Sequence, residues 1–302
     1  MQRIPMSRPR GRRGFTMIEL LVALVLLGLV SAALYRVLVN NQRLYMAQTQ
    51  RIDLSQNIRA AGTILPAEFR ELDAFEGDIT AMSATSISIR AMRWLGFACN
   101  LPTLGGALNP VSVIVRGGAP GQPLFFGARG IDNNKDSVLI YYDGDKNSRV
   151  DDFWATGQIV AAPNGQNCDD GTNGQRLLLN INLLGLGPNV AGAIPLGAPM
   201  RGFERVVYSL YNPPGDTSWY VGFQPAGQGM QPLIGPVLTN GLTFQYFDAN
   251  GAVTAVRNQV ARIDITVRAR TTGAVRAGGQ AARATIVDSV VTSVALRNNR
   301  RF

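Results

Sequence analysis

Three hydrophobic patterns follow one another along the chain. From Phe15 to Val39 the sequence FTMIELLVALVLLGLVSAALYRVLV is almost wholly apolar, broken by Glu19 near its start and Arg36 near its end. Twenty-five helical residues span about 37 Å at about 1.5 Å per residue, enough to cross a bilayer. From residue 40 to 75 the pattern becomes a stripe: Leu54, Ile58, Ala61, Leu65, Phe69 and Leu72 recur at spacings of three and four. Such a stripe predicts an amphipathic extension of the same helix with one face to cover. Gly62 and Pro66 fall inside it and predict an interruption or bend, because proline removes a backbone donor and clashes with the preceding turn.

Past residue 76 short runs alternate at period two. TSISIR, SVLIYYD, RLLLNI, RVVYSLY, SWYVGF, LTFQYFD and VARIDITVRA each read as a strand, separated by glycine, proline and asparagine. Asn250 and Gly251 form a dipeptide that readily takes positive φ and marks a hairpin. The stretches from about 99 to 135 and 161 to 200 are dense in Gly, Pro and Asn and predict surface insertions. The fold class expected is α+β, a long amino-terminal helix packed on a mainly antiparallel sheet, with residues 76–302 as one β-rich globular domain.

Charge changes this picture at one end only. The chain of 302 residues carries a formal +9, but Arg3, Arg8, Arg10, Arg12 and Arg13 precede Phe15 with no acid among them. Without that segment 24 basic residues face 20 acidic ones, leaving +4. Spread over the remaining chain this is a weak field, so direct DNA binding is not expected despite the basic tail RNNRRF. Histidine is absent, which excludes Ser-His-Asp, Cys-His and ordinary zinc sites and argues against an enzyme.

Glu19 poses the functional question, since an unpaired acid at the centre of a bilayer costs roughly 2.5 to 3.5 kcal/mol. A secretory signal peptide cut after Ala33 accounts for the basic head and the small residues Ser31 to Ala33, and a plain anchor accounts for residues 15–39. Neither gives Glu19 a role. Cleavage between Gly14 and Phe15 does: it frees an α-amine, with an ordinary pKa of about 8, four residues from the carboxylate.

Gly14, Phe15, Thr16, Met17, Ile18 and Glu19, followed by LLVALVLLGLVSAALYR, resemble the type IV prepilin family, in which a leader ending in glycine precedes a phenylalanine and a glutamate. The resemblance implies a cleaved leader at 1–14, a transmembrane helix at 15–39, its amphipathic extension at 40–75 and an exported pilin-like domain at 76–302. It also implies cleavage and methylation of Phe15 by a prepilin peptidase, with Glu19 as the assembly residue that meets the amine of a neighbour. The proline that kinks this helix in many major pilins is missing. Further on, RGFERVVYSLYN, PLIGPVLTNGLTFQYFDANG, VARIDITVRA and DSVVTSVALRNN resemble the carboxyl half of PilW-type minor pilins and J-type minor pseudopilins. The expected partners are therefore the peptidase, other minor and major pilins and the inner membrane. The expected location is single-pass in that membrane with the carboxyl domain in the periplasm, then in a pilus or, as the alternative, a type II secretion pseudopilus. A free secreted module cut after Ala33 is the second alternative.

Two further features carry chemistry. Cys99 and Cys168 are an even pair, which in an exported chain predicts a disulfide; the alternative is two buried thiols, because sequence alone sets no distance between them. In YYDGDKNSRVDDFW, Asp143, Asp145, Asn147, Asp151 and Asp152 offer oxygens for a hard cation such as Ca²⁺, the one cofactor the sequence suggests. Against the EF-hand template the motif is incomplete, with Ser148 and Trp154 where glycine and glutamate belong. The competing reading is a polar hairpin in which Lys146 and Arg149 offset the acids. A second acidic turn, Asp132 to Asp136, either adds a ligand or solvates another loop.

Overall fold

The computed structural model describes residues 14–104, 110–117, 126–127, 129–145, 147–148, 150, 152–163, 166–181, 194–276 and 282–297. It opens with α1, Met17–Arg70, a helix of 54 residues and so about 80 Å long. Gly62 and Pro66 do not interrupt it. Proline in a helix interior costs about 3 kcal/mol. Here Pro66 is itself buried, and the fully buried Leu65 and Phe69 beside it each contribute about 1.5 to 3 kcal/mol by leaving water, enough to hold the turn.

Sixteen strands follow among the described residues: β1 Ile79–Met82, β2 Ser86–Phe97, β3 Thr103–Leu104, β4 Val111–Arg116, β5 Phe126–Gly127, β6 Asp136–Tyr142, β7 Phe153–Ala161, β8 Gln166–Asn167, β9 Asn173–Ile181, β10 Pro199–Tyr211, β11 Trp219–Gln224, β12 Gln231–Phe247, β13 Arg262–Arg270, β14 Val275–Arg276, β15 Arg283–Ala284 and β16 Val287–Ala295. Fourteen form one antiparallel sheet in the order β16-β13-β12-β11-β10-β6-β7-β9-β4-β3, with β2 on the other edge of β10. β14 and β15 make a separate ribbon. The expected α+β architecture is therefore present.

The sheet forks at β10. Along one edge β10 pairs with β2 from Pro199 to Ser209. Its other edge is divided: Met200 to Glu204 pair with β6, and Val207 to Tyr211 with β11. Each arm has its own core. The arm β11-β12-β13-β16 covers the helix stripe, burying Leu54, Ala61, Leu65 and Phe69 against Tyr208, Phe244, Ile265 and Val294. Phe69 meets Tyr208 and Phe244 edge-on at centroid distances of 5.5 and 5.9 Å. The other arm buries Trp94, Val113, Val138, Ile140, Leu177 and Met200.

A bulge lets β2 serve both cores. Met92 pairs with Phe203 and Trp94 with Gly202, so Arg93 is the extra residue. One inserted residue reverses the alternation of side chains. Ile87, Ile89 and Ala91 therefore face the helix, whereas Trp94 enters the second core. The indole lies flat across Gly202, where a Cβ would stand 1.8 Å from the ring; only glycine fits there.

The second arm also holds the larger departure from the sequence reading. Part of the 99 to 135 stretch is β4, and Val111, Val113 and Val115 are fully buried rather than looped on the surface. Its neighbour β9 was legible as RLLLNI, but β7 carries too mixed a sequence to read as a strand unaided. Cys99 and Cys168 form a disulfide spanning 69 positions, a closure worth on the order of 4 kcal/mol in the chain-entropy model. The Asn250–Gly251 turn is present, with Gly251 at φ 82°, but a short 3₁₀ helix at Arg257–Gln259 separates it from β13.

Phe69→Ala is expected to destabilise the domain by about 3 to 5 kcal/mol through the cavity left among Tyr208 and Phe244. Urea unfolding of the full chain in neutral detergent measures this, and a change below about 1 kcal/mol would mean that the helix does not depend on that contact.

Candidate functional site at the amino terminus

Gly14 and Phe15 precede the helix, and Phe15 is 81% exposed. Thr16 is the N-cap, its hydroxyl accepting the Glu19 amide N–H at 3.3 Å. The spacing of Thr16 and Glu19 is that of a capping box. Glu19 consequently stands in the first turn, where the helix dipole favours a negative charge. Among the described residues it has no ion-pair partner. Cleavage after Gly14 would place a cation at this end of the helix.

The helix is long and apolar enough to cross a membrane, and that part of it is uncovered by the other described residues. Its first buried residue is Leu54. Leu20, Leu24, Leu27, Leu34 and Leu38 are each more than half exposed. An apolar surface of this extent requires hydrocarbon or other helices around it. Five arginines precede Phe15, against Arg36 near the end of the apolar run and Arg43 and Arg51 beyond it, an asymmetry that by the positive-inside rule favours a cytoplasmic amino end.

The acidic loop lies between β6 and β7. The Asp145 carboxylate accepts the Asn147 amide N–H at 3.0 Å and its side-chain amide at 3.4 Å, folding the loop on itself. One oxygen each of Asp143 and Asp152 is buried without a hydrogen-bond partner. Lys146, Arg149 and Asp151 lie outside the described residues. Among those described, no three carboxylates are grouped to hold a metal ion. The second acidic turn is committed elsewhere, because Asp136 is engaged by Arg129.

That engagement belongs to a buried ionic chain at the fork of the sheet. Arg93, turned out of the pleat by its bulge, donates from Nη1 to Glu68 of α1 at 3.1 Å and from Nε to Glu204 of β10 at 3.0 Å. Arg129 donates to the same Glu204 oxygen at 3.2 Å and to Asp136 at 2.5 Å. Asp136 also accepts the Trp94 indole N–H at 3.3 Å and the Asp132 amide N–H at 2.9 Å. Burial works against the charge on Arg93, but Glu68 and Glu204 outweigh it and raise its pKa. Nearby, burial pushes the Asp78 carboxyl up, against the pull of the Asp73 amide and Arg201. The chain ties the end of the helix to both arms. No local pattern announces it, since Arg93 and Glu204 are 111 positions apart; the only trace in the sequence is charge inside otherwise apolar strands.

Comparison with known proteins identifies the amino-terminal segment. Residues 9–35 match the family model of the prokaryotic N-terminal methylation motif. The match contains Gly14, Phe15, Glu19 and most of the exposed apolar run. No curated protein and no solved structure matches the chain.

Glu204→Leu is expected to cost about 3 kcal/mol, since it takes a buried anion from two arginines. Glu68→Ala, nearer the surface, is expected to cost about 1 kcal/mol or less. Urea unfolding ranks the two, and equal losses would contradict the order of burial. With the Asp145 carboxylate turned onto its own loop, calorimetry is expected to show no saturable Ca²⁺ binding below about 1 mM; a micromolar constant would mean that the loop closes around the cation.

Proposed function

We propose that this chain, whose amino terminus carries the methylation segment of the type IV prepilin and pseudopilin superfamily, is a minor pilin subunit of a type IV pilus. That superfamily consists of structural subunits, not enzymes. A prepilin peptidase removes residues 1–14 and methylates the amine of Phe15. The mature subunit waits in the inner membrane on the helix of residues 15–39 with its sheet domain in the periplasm, then enters the filament through that helix.

The observation that carries this reading is Glu19 in the first turn of an exposed apolar helix, four residues after Phe15 and without an ion-pair partner among the described residues. In a bundle of such helices the carboxylate of one subunit neutralises the amine of the next. Opposite charges attract more strongly in a low dielectric, which offsets part of their desolvation. A J-type minor pseudopilin would use the same segment in a type II secretion system. The second lobe, β3 to β9, enlarges the exported surface and favours the pilus.

The mature chain is expected to begin at N-methylated Phe15, which amino-terminal sequencing reads directly; a terminus at Leu34 would indicate a free secreted module instead. Glu19→Val is expected to leave cleavage intact and to lower incorporation into filaments roughly tenfold, the equivalent of about 1.4 kcal/mol. Unchanged incorporation would overturn the pairing. Loss of pili on deleting the chain, with secretion through a type II system intact, separates the two filament readings.

A further inference from the structure

The helix face that meets the sheet continues toward the membrane, and its chemistry changes on the way. Positions spaced three and four apart share a face. The inner part of this stripe is Leu54, Ile58, Ala61 and Leu65; the outer part is Arg36, Asn40, Arg43, Ala47 and Gln50. Facing the outer part is the β14–β15 ribbon, which leaves the sheet between β13 and β16. The Gly273 amide N–H, at the base of the ribbon, donates to the Gln50 side chain at 3.2 Å and pins it to the helix.

Between ribbon and helix lies an open groove of about 400 Å³, lined by Asn40, Arg43, Leu44, Met46, Val275 and Arg283 among others. Arg43 and Arg283 are both exposed, and among the described residues no carboxylate lines the groove. The groove starts at Asn40, one residue past the apolar run that ends at Val39, which is the level of the lipid headgroups where the helix leaves the membrane. Its chemistry is a pair of guanidiniums, suited to the oxygens of a phosphate, beside the apolar side chains of Leu44, Met46 and Val275, suited to the glycerol and upper acyl carbons.

We propose that this groove seats one anionic glycerophospholipid of the leaflet from which the helix emerges, with Arg43 and Arg283 on its phosphate. A second copy of the helix is the poorer occupant on charge. Between Glu19 and Asp53 the chain carries Arg36, Arg43 and Arg51 and no acid, so a second copy would set cation against cation. The bound lipid fixes how deep the subunit sits, and it must be given up when the helix leaves the bilayer.

This inference rests on the membrane placement proposed above, but not on the identity of the filament. The test uses native mass spectrometry of the full mature chain in neutral detergent with dioleoyl phosphatidylglycerol, dioleoyl phosphatidylcholine or inorganic phosphate. One phosphatidylglycerol per chain is expected to be retained in preference to phosphatidylcholine. Arg43→Gln and Arg283→Gln are each expected to lower its occupancy about fivefold, the contribution of one basic residue at an anionic surface. Both side chains are exposed, so the unfolding midpoint should not move. Equal retention of the two lipids, or no loss in either variant, overturns the proposal. Displacement by millimolar phosphate would make this a free-anion site, and a lipid-free dimer would give the groove to a second copy; either result also overturns it. The readout needs neither processing nor assembly machinery in the assay, so its failure leaves the test of Glu19 standing.

Discussion

The apolar surface of α1 between Met17 and Val39 must be covered by something other than the sheet of its own chain, and the rest of the molecule is arranged around that requirement. A helix of 54 residues cannot hide all its sides against one sheet, so it divides its length between two environments. The first part is greasy on every side and suits hydrocarbon or a bundle of similar helices. The second part is greasy on one stripe and suits a protein core. Pro66 is tolerated in the second part because the packing of Leu65 and Phe69 there is strong enough to outweigh a missing hydrogen bond. The same division leaves Glu19 at the far end of the helix from the sheet, without an ion-pair partner among the described residues.

At the opposite end the domain solves a different problem, that of building two cores on one pair of strands. β2 and β10 run through both, and the bulge at Arg93 turns the pleat over between them. A bulge of this sort leaves a side chain that points into neither core. Arg93 uses that freedom to reach Glu68 and Glu204, and Glu204 in turn holds Arg129 and Asp136. Glu204 and Asp136 are buried while Glu68 and Arg129 lie nearer the surface, and together these side chains join the helix to both arms of the sheet and not only to the arm that touches it. The Cys99–Cys168 disulfide secures the outer lobe itself.

Much of this was written in local pattern. The segment that matches the methylation motif was legible because its residues, Gly14, Phe15 and Glu19 among them, stand together in the chain. The helix stripe was legible because its period of three and four is imposed by the helix itself, and the strands β10 to β13 because one face of each is buried and the other wetter. The sequence also made a disulfide between Cys99 and Cys168 a strong expectation once export was inferred. It misplaced β4, whose short alternation is hidden among glycines and prolines, and it expected a break at Gly62 and Pro66.

What only the tertiary structure decided are the features that depend on which distant segments become neighbours. The fork at β10, the bulge at Arg93, the ionic chain from Glu68 to Asp136 and the groove between Asn40 and Arg283 each join residues far apart in the chain. Their energies come from burial and mutual approach, and neither exists until the sheet has formed. Periodicity records what one segment needs from its surroundings; it does not record which segment will supply it.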